Sequence, residues 1–346
     1  MKLSNALKLY ARKLPTPVQL NLLKSYGKNI SKVKMINQSV FLKEELPIRL
    51  CHRVFDLLKL PYGLPTIPEI NYIVDLYSES FDRIMDFRNP DTIDKAQEFT
   101  NLLEDIKIKH TDVEKILALG IKKLDNPLVD FSIINTELDK FFLSRIGIRT
   151  LISHHIETVK HSRSLIRKCA VDTIVNDATE EVSAITSRIY GTVPTFVLKY
   201  NNSVISYIPE YIYYPVFEIL KNSIVAHYMN NKICSPVNIT IGEGKGDIII
   251  KISDEGMGFP YNKLKDVMTY SYSTTSISNI DDIPSVTFSA NNGNTKPIIS
   301  GFGFGLPMSK TYCKYFGGDL CINPIEGIGT DVFIYINKLG ERVEEL

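Results

Sequence analysis

A carboxylate and an amide one helical turn apart, Glu218 and Asn222 in Glu-Ile-Leu-Lys-Asn, lie on one face of a helix. That pairing can set a proton acceptor beside a magnesium-bound triphosphate: Glu218 takes the proton of an attacking hydroxyl, and Asn222 offers a neutral oxygen to the ion. Lys221, about 100° away round the helix, is a candidate to neutralise phosphate charge. Downstream stands Asp254-Glu-Gly256-Met-Gly258. A carboxylate ending an apolar strand is costly unless paired, and the amino group of an adenine would pair it. Gly256 and Gly258 let the backbone turn beneath such a base. Further on comes Gly301-Phe-Gly303-Phe-Gly305, ahead of a helix, where bare amides and a helix N-terminus can cradle phosphates. Thr330, after Gly327 and Gly329, can return a hydroxyl to the adenine side. Taken singly, these segments read as a polar helix face, a strand-to-turn Asp-x-Gly, a glycine-rich loop and a β-branched strand residue. Taken in order, they imply one ATP site. It is neither a dinucleotide fingerprint, since no strand leads into the glycines, nor a Walker A loop, since no Gly-Lys-Ser/Thr ends them.

Two kinds of element must position these groups. Residues 1–165 read as helical, with apolar positions recurring every three or four residues: Leu50, Val54, Leu57; Ile70, Ile73, Val74, Tyr77; Phe99, Leu102, Leu103, Ile106. A long periodic stretch from Leu138 to Lys160 adds a fourth helix, and four such helices pack most simply as a bundle. From about residue 166 the pattern changes. Val193–Val204, Pro236–Ile241 and Asp247–Ser253 are strand-like, Tyr211–Met229 and Gly305–Phe316 helical, and Leu320–Asn323 with Thr330–Asn337 a closing hairpin. The expected fold is a helical bundle over 1–165 and an α/β sandwich with a mixed sheet over 166–346, the boundary lying within Arg163–Cys169. Ser271–Ser300, polar and aperiodic, sits between the two glycine motifs where a lid over the nucleotide belongs.

Bulk properties narrow the classes. In 346 residues the net charge is +1, so no general nucleic-acid binder is indicated, and no apolar run is long enough for a transmembrane helix. Five scattered cysteines without a Cys-x-x-Cys pair indicate neither zinc nor a disulfide framework and fit a reducing compartment. Nine Lys or Arg and no acidic residue precede Glu44. Such a start is similar to a transit peptide, or else is the basic face of a helix. Leu9–Gly27 already reads as folded domain, so any cleaved presequence is short or absent.

The order Glu-x-x-x-Asn, Asp-x-Gly-x-Gly, Gly-x-Gly-x-Gly, Gly-x-Gly-Thr resembles the GHKL superfamily of ATPases and kinases, which includes gyrase, Hsp90, MutL-type ATPases and histidine kinases. Flanking residues bring the likeness closer to the mitochondrial α-keto acid dehydrogenase kinases. These are Ala11-Arg-Lys-Leu-Pro-Thr-Pro17, Glu45-Leu-Pro-Ile-Arg-Leu50, His110-Thr-Asp-Val113, Ser144-Arg-Ile-Gly-Ile-Arg149, Met268–Thr275 and Gly301–Leu320. The resemblance covers nearly the whole chain. It implies a GHKL-type (Bergerat) α/β ATP-binding domain behind a four-helix bundle, with Glu218 as the base that activates a substrate serine. It implies Asn222 as magnesium ligand, Asp254 on adenine, and Gly301, Gly303 and Gly305 on the phosphates. By the same resemblance Gly256, Gly258, Ser273, Thr274, Phe302, Phe304, Leu306 and Thr330 line the nucleotide. It further implies ATP and Mg2+ as cofactors, and as substrate the alpha subunit of the decarboxylating component of such a dehydrogenase complex, which phosphorylation switches off. Docking on a lipoyl domain of the core through the helical domain, a homodimer through the second domain's sheet, and the mitochondrial matrix follow from it too.

Two branches of the family compete. The absence of Trp, the short stretch after Thr330 and His154-His155 lean to the branched-chain enzyme; Tyr270–Thr274 and Lys314-Tyr-Phe316 lean to pyruvate dehydrogenase kinase. The branched-chain reading is the expectation, with the pyruvate enzyme as its alternative. A non-catalytic ATP-binding scaffold on the complex is the alternative of another class, and a conformational ATPase like Hsp90 is third. The scaffold reading rests on departures from the family pattern. Ser223-Ile-Val225-Ala226 stands where the family runs Ala-Met-Arg-Ala, and Glu255 stands where it carries Arg, so two cations are missing. Tyr214 replaces a His one turn before the base. His110 reads as a helix-end residue beside Thr111 and Asp112.

Overall fold

The computed structural model describes residues 4–27, 31–124, 129–230, 235–270, 303–340 and Glu344. They divide into two compact units, one made from the chain up to Leu165 together with Glu344, the other from Ile166 onward.

The first unit is entirely helical: α1 (Asn5–Tyr10), α2 (Leu20–Tyr26), α3 (Lys32–Leu58), α4 (Pro68–Asp86), α5 (Ile93–Lys109), α6 (Val113–Lys122) and α7 (Phe131–His161). Their starts follow from sequence. The hydroxyls of Ser31 and Thr92 and the carboxylate of Asp130 accept from the amides of Lys34, Lys95 and Ser132, and Pro68 opens α4 at the position where a missing N–H is harmless. The periodic residues Leu50, Val54, Ile70, Ile73, Phe81, Phe99, Leu103, Leu138 and Phe141 are wholly buried and form the core among α3, α4, α5 and α7. Glu344, far downstream in sequence, enters this core. Its carboxylate accepts from the amide of Val18 at 2.9 Å and from both terminal nitrogens of Arg49, which in turn donates to Glu45 at 2.8 Å.

Three histidines of this unit are buried: His110, His154 and His155. Burial lowers their pKa values from 6.5 to about 3, about 4 and about 3; Arg145 and Arg149 push His110 further down. Between pH 6.5 and those values the unfolded chain takes up protons that the native unit refuses. Stability should therefore be full above pH 6.5, fall as pH drops through the window, and level off only below about pH 3. Each histidine contributes about 1.4 kcal/mol per pH unit. Urea unfolding at pH 7.5 and pH 5 reads this directly, and equal stabilities at both would overturn it.

The second unit contains β1 (Arg167–Ala170), α8 (Val171–Tyr190), β2 (Phe196–Lys199), β3 (Val204–Tyr207), α9 (Glu210–Met229), β4 (Val237–Glu243), β5 (Asp247–Asp254), α10 (Leu264–Val267), α11 (Gly305–Tyr315), β6 (Asp319–Ile325) and β7 (Gly329–Asn337). The main sheet has the order β2-β4-β5-β7-β6, with β2 and β4 parallel and the other pairs antiparallel. Alternation sets its faces. One cross-strand row, Ile239, Ile252, Val332 and Ile322, and the next, Ile241, Ile250, Ile334 and Leu320, are buried; α9 and α11 pack against the sheet and α8 against α9. On the opposite face Thr240, Lys251, Phe333 and Cys321 form one row and Gly242, Ile249, Tyr335 and Asp319 another, all half-buried or exposed.

The single strand expected over Val193–Val204 is broken. Asn202 takes a left-handed conformation at φ 50°, and the chain leaves the main sheet to form β3, which pairs with β1 in a separate two-stranded ribbon. Ser271–Ser300, the expected lid, lies outside the described residues.

Candidate active site

The helix α9 carries the first cluster. Glu210 in its first turn and His227 in its last agree with the helix dipole. Glu218 is 7% exposed and faces inward. Each of its carboxylate oxygens accepts from Lys221 Nζ, at 2.7 and 2.7 Å. On its other side stands Gly305, the first residue of α11: a Cβ there would lie 2.2 Å from Glu218 Oε2. The base candidate is thus wedged between an ammonium and a helix N-terminus. Asn222, one turn on, is exposed. The expectation that Lys221 points away from this cluster is corrected: at i+3 it reaches back to Glu218. Tyr214, one turn before Glu218, packs its buried ring against Tyr312, 4.9 Å between centroids.

The second cluster lies at the end of β5. Asp254 is 9% exposed; its Oδ1 accepts from the Gly256 amide at 3.0 Å and its Oδ2 from the Ser223 hydroxyl at 3.1 Å. Burial raises its pKa, while hydrogen bonds from Gly256, Ser223 and Thr330 oppose the rise. Thr330 is its cross-strand partner on β7. The next amide, Glu255 N–H, donates to His227 Nε2 at 3.0 Å. Ser223 and His227, four residues apart on α9, therefore grip consecutive residues of the turn. Gly256 is needed for that closeness, since a Cβ would sit 2.6 Å from Ala226 Cβ. Gly258 has φ +55°, and a Cβ would lie 2.1 Å from the Ile325 carbonyl oxygen.

Of the glycine-rich segment, Gly303 turns with φ 85°, Phe304 is buried against Tyr270 with centroids 5.3 Å apart, and Gly305 and Leu306 open α11 half-buried. Gly301, Phe302, Ser273 and Thr274 lie outside the described residues. The structure brings Glu218 and Gly305 together, with Asn222 exposed one turn on along α9, and separately Asp254, Gly256, Gly258 and Thr330. Sequence reasoning missed the roles of Ser223 and His227. The one-turn spacing between them was the available signal. It also read His110 locally, whereas the ring bonds Ser80 Oγ at 2.8 Å, packs edge-on to Tyr77, and its carbonyl accepts from Arg145 at 2.7 Å.

Residues 17–186 match a family model described as mitochondrial branched-chain alpha-ketoacid dehydrogenase kinase, and residues 209–339 one described as histidine kinase-, DNA gyrase B- and HSP90-like ATPase. Among curated proteins, a mitochondrial pyruvate dehydrogenase (acetyl-transferring) kinase of Arabidopsis thaliana is 31% identical over 96% of this chain and 93% of its own length. One of Drosophila melanogaster is 30% identical over 99% and 87%. Isozyme 4 of Mus musculus is 30% identical over 98% and 85%. The names of these relatives support an α-keto acid dehydrogenase kinase and favour the pyruvate alternative over the branched-chain expectation. That expectation leaned on the short stretch after Thr330.

Proposed function

This chain belongs to the mitochondrial α-keto acid dehydrogenase kinase family within the GHKL superfamily, and from that premise we propose that it is a mitochondrial pyruvate dehydrogenase kinase. It uses ATP to phosphorylate a serine of the dehydrogenase alpha subunit, in the matrix. The observation that carries the reading is the base site: a nearly buried Glu218 at the N-terminus of α11, one turn from an exposed Asn222.

In the reaction the serine O–H bond breaks and its oxygen bonds the γ-phosphorus. The bond to the bridging oxygen breaks with departure of ADP, and the proton passes to a Glu218 oxygen. The residues' work is placement and charge neutralisation more than covalent chemistry. Asp254 accepts from the adenine amino group on a carboxylate already oriented by Ser223 and Gly256, and the amides at the start of α11 face the phosphates. Among the described residues no cluster of His, Cys, Asp and Glu stands ready for a metal. A magnesium ion fits here all the same, because it takes few protein ligands and completes its shell with phosphates and water; Asn222 is the ligand we assign. When bound, it neutralises phosphate charge.

Purified pyruvate and branched-chain complexes, offered side by side with labelled ATP, test the reading. Label should enter the pyruvate dehydrogenase alpha subunit preferentially. Preference for the branched-chain subunit would overturn the branch, and ATP binding with no labelling would favour the scaffold. In the same assay Asn222→Ala should raise the magnesium requirement; an unaltered requirement would place the ion elsewhere.

We assign homodimerisation to the sheet face carrying Ile249, Phe333 and Tyr335, which stand half-buried opposite the buried rows. Phe333→Glu should leave a monomer in sedimentation velocity, and a persisting dimer would move the interface. No helix among the described residues is long and apolar enough to cross a membrane. Lipoyl-domain docking we assign to the helical unit; titration with a free lipoyl domain tests it, and tight binding by a protein with an unfolded helical unit would reject it.

A further inference from the structure

The mechanism leaves one ion pair unused. Lys221 is only 13% and Glu218 10% exposed at their side chains, and the ammonium touches both oxygens of the carboxylate at 2.7 Å. A surface pair of this spacing contributes little, but a desolvated one fixes geometry, because neither partner can be left bare. Glu218 has three rotatable bonds before its carboxylate and needs holding if one oxygen is to meet a substrate hydroxyl. The residue one turn before it is Tyr214, whose ring packs against Tyr312. Gly305 also limits the carboxylate: any Cβ would displace Oε2.

We propose that Lys221 is the positioning residue of this active site: it holds the Glu218 carboxylate against the N-terminus of α11 and cancels its charge where triphosphate must bind. The inference rests on Glu218 being the base. It also explains how an anionic side chain and an anionic nucleotide share one helix end. With Lys221 present, the site presents a neutral pair; without it, a bare carboxylate faces the phosphates. Lys221 stays on Glu218 while the serine proton passes to a carboxylate oxygen, and the ammonium neither gains nor loses a proton.

A double-substitution cycle read by nucleotide titration, without any protein substrate, separates this from a lysine that grips phosphate directly. Lys221→Met should weaken ATP binding about tenfold or more, because the carboxylate is left uncompensated. Adding Glu218→Gln to Lys221→Met should restore affinity to within about threefold of wild type, since the repelling charge is gone. A double variant as weak as Lys221→Met overturns the proposal and makes Lys221 a phosphate ligand. The transfer assay gives a second reading: at saturating ATP, Lys221→Met should lower kcat by about tenfold or more, with Lys221→Arg recovering part of it. An unchanged kcat overturns the positioning role. If wild-type protein labels no dehydrogenase subunit, the functional assignment fails, yet the titration cycle still decides the role of Lys221.

Discussion

Glu218→Gln should abolish phosphate transfer and leave ATP bound. The substitution keeps the size and the hydrogen-bonding reach of the side chain but removes the lone pair basic enough to take the serine proton. General-base catalysis is worth roughly 10²–10⁴ in rate, so turnover should fall by about that factor. Affinity for ATP should hold or tighten, because Gln keeps contact with the start of α11 while Lys221, still beside it, loses its carboxylate. The two readouts together discriminate. Loss of both would mean the site had collapsed, which far-ultraviolet circular dichroism and thermal unfolding would reveal. Transfer at the wild-type rate would remove Glu218 from the chemistry. Gly305→Ala provides a steric counterpart, since its Cβ would displace Oε2 of the same carboxylate.

The largest effect on stability should come from Arg49→Met. Arg49 and the side chain of Glu344 are fully buried, and Glu45 nearly so. Arg49 donates to Glu45, to both oxygens of Glu344 and, at 2.7 Å, to the Thr16 carbonyl. Backbone amides complete the cluster: Thr16 N–H donates to Glu45 at 2.8 Å and Val18 N–H to Glu344 at 2.9 Å. Removing this guanidinium leaves two buried carboxylates without the cation they share among the described residues. Breaking a buried pair in this way costs about 3–5 kcal/mol, against about 1 kcal/mol for a lost surface pair. Urea unfolding should show that loss. The triple change Glu45→Gln, Arg49→Met, Glu344→Gln should win back most of it, because neither carboxylate is then left charged and uncompensated. Equal stability of the single and triple variants would show that packing, not charge, dominates at Arg49.

What could be seen in the sequence was local. The long helices were legible because Leu50, Ile70, Phe99 and Leu138 each repeat with their neighbours at helical spacing, and the burial that results is the same stripe. The glycines were legible as a set because a left-handed φ at Gly258 and Gly303 favours glycine, and a Cβ would clash at 2.1 Å at Gly258 and 2.6 Å at Gly256. Partners distant in sequence were not. Glu344, in a stretch of charge, reads as a solvated residue, yet its partner Arg49 is 295 positions away. His110 reads as a helix end, yet Ser80, Tyr77 and Arg145 come from two other helices. Four-residue strands such as β1 and β3 carry too short a pattern to register, and Asn202 breaks the longer run. Substrate branch was the least legible, because the base, amide and glycines serve every branch alike.

Glu344 also bears on the order in which the protein is made. A ribosome delivers α1 to α7 long before residue 344, so the helical unit emerges with Arg49 and Glu45 in a cluster that is still one carboxylate short. Its contacts at separations of 295 and 326 residues close only after the whole ATP-binding unit has been synthesised. Completion of the first unit therefore waits on synthesis of the second, and a gene fragment cut at Leu165 encodes a bundle that lacks one of its own buried residues.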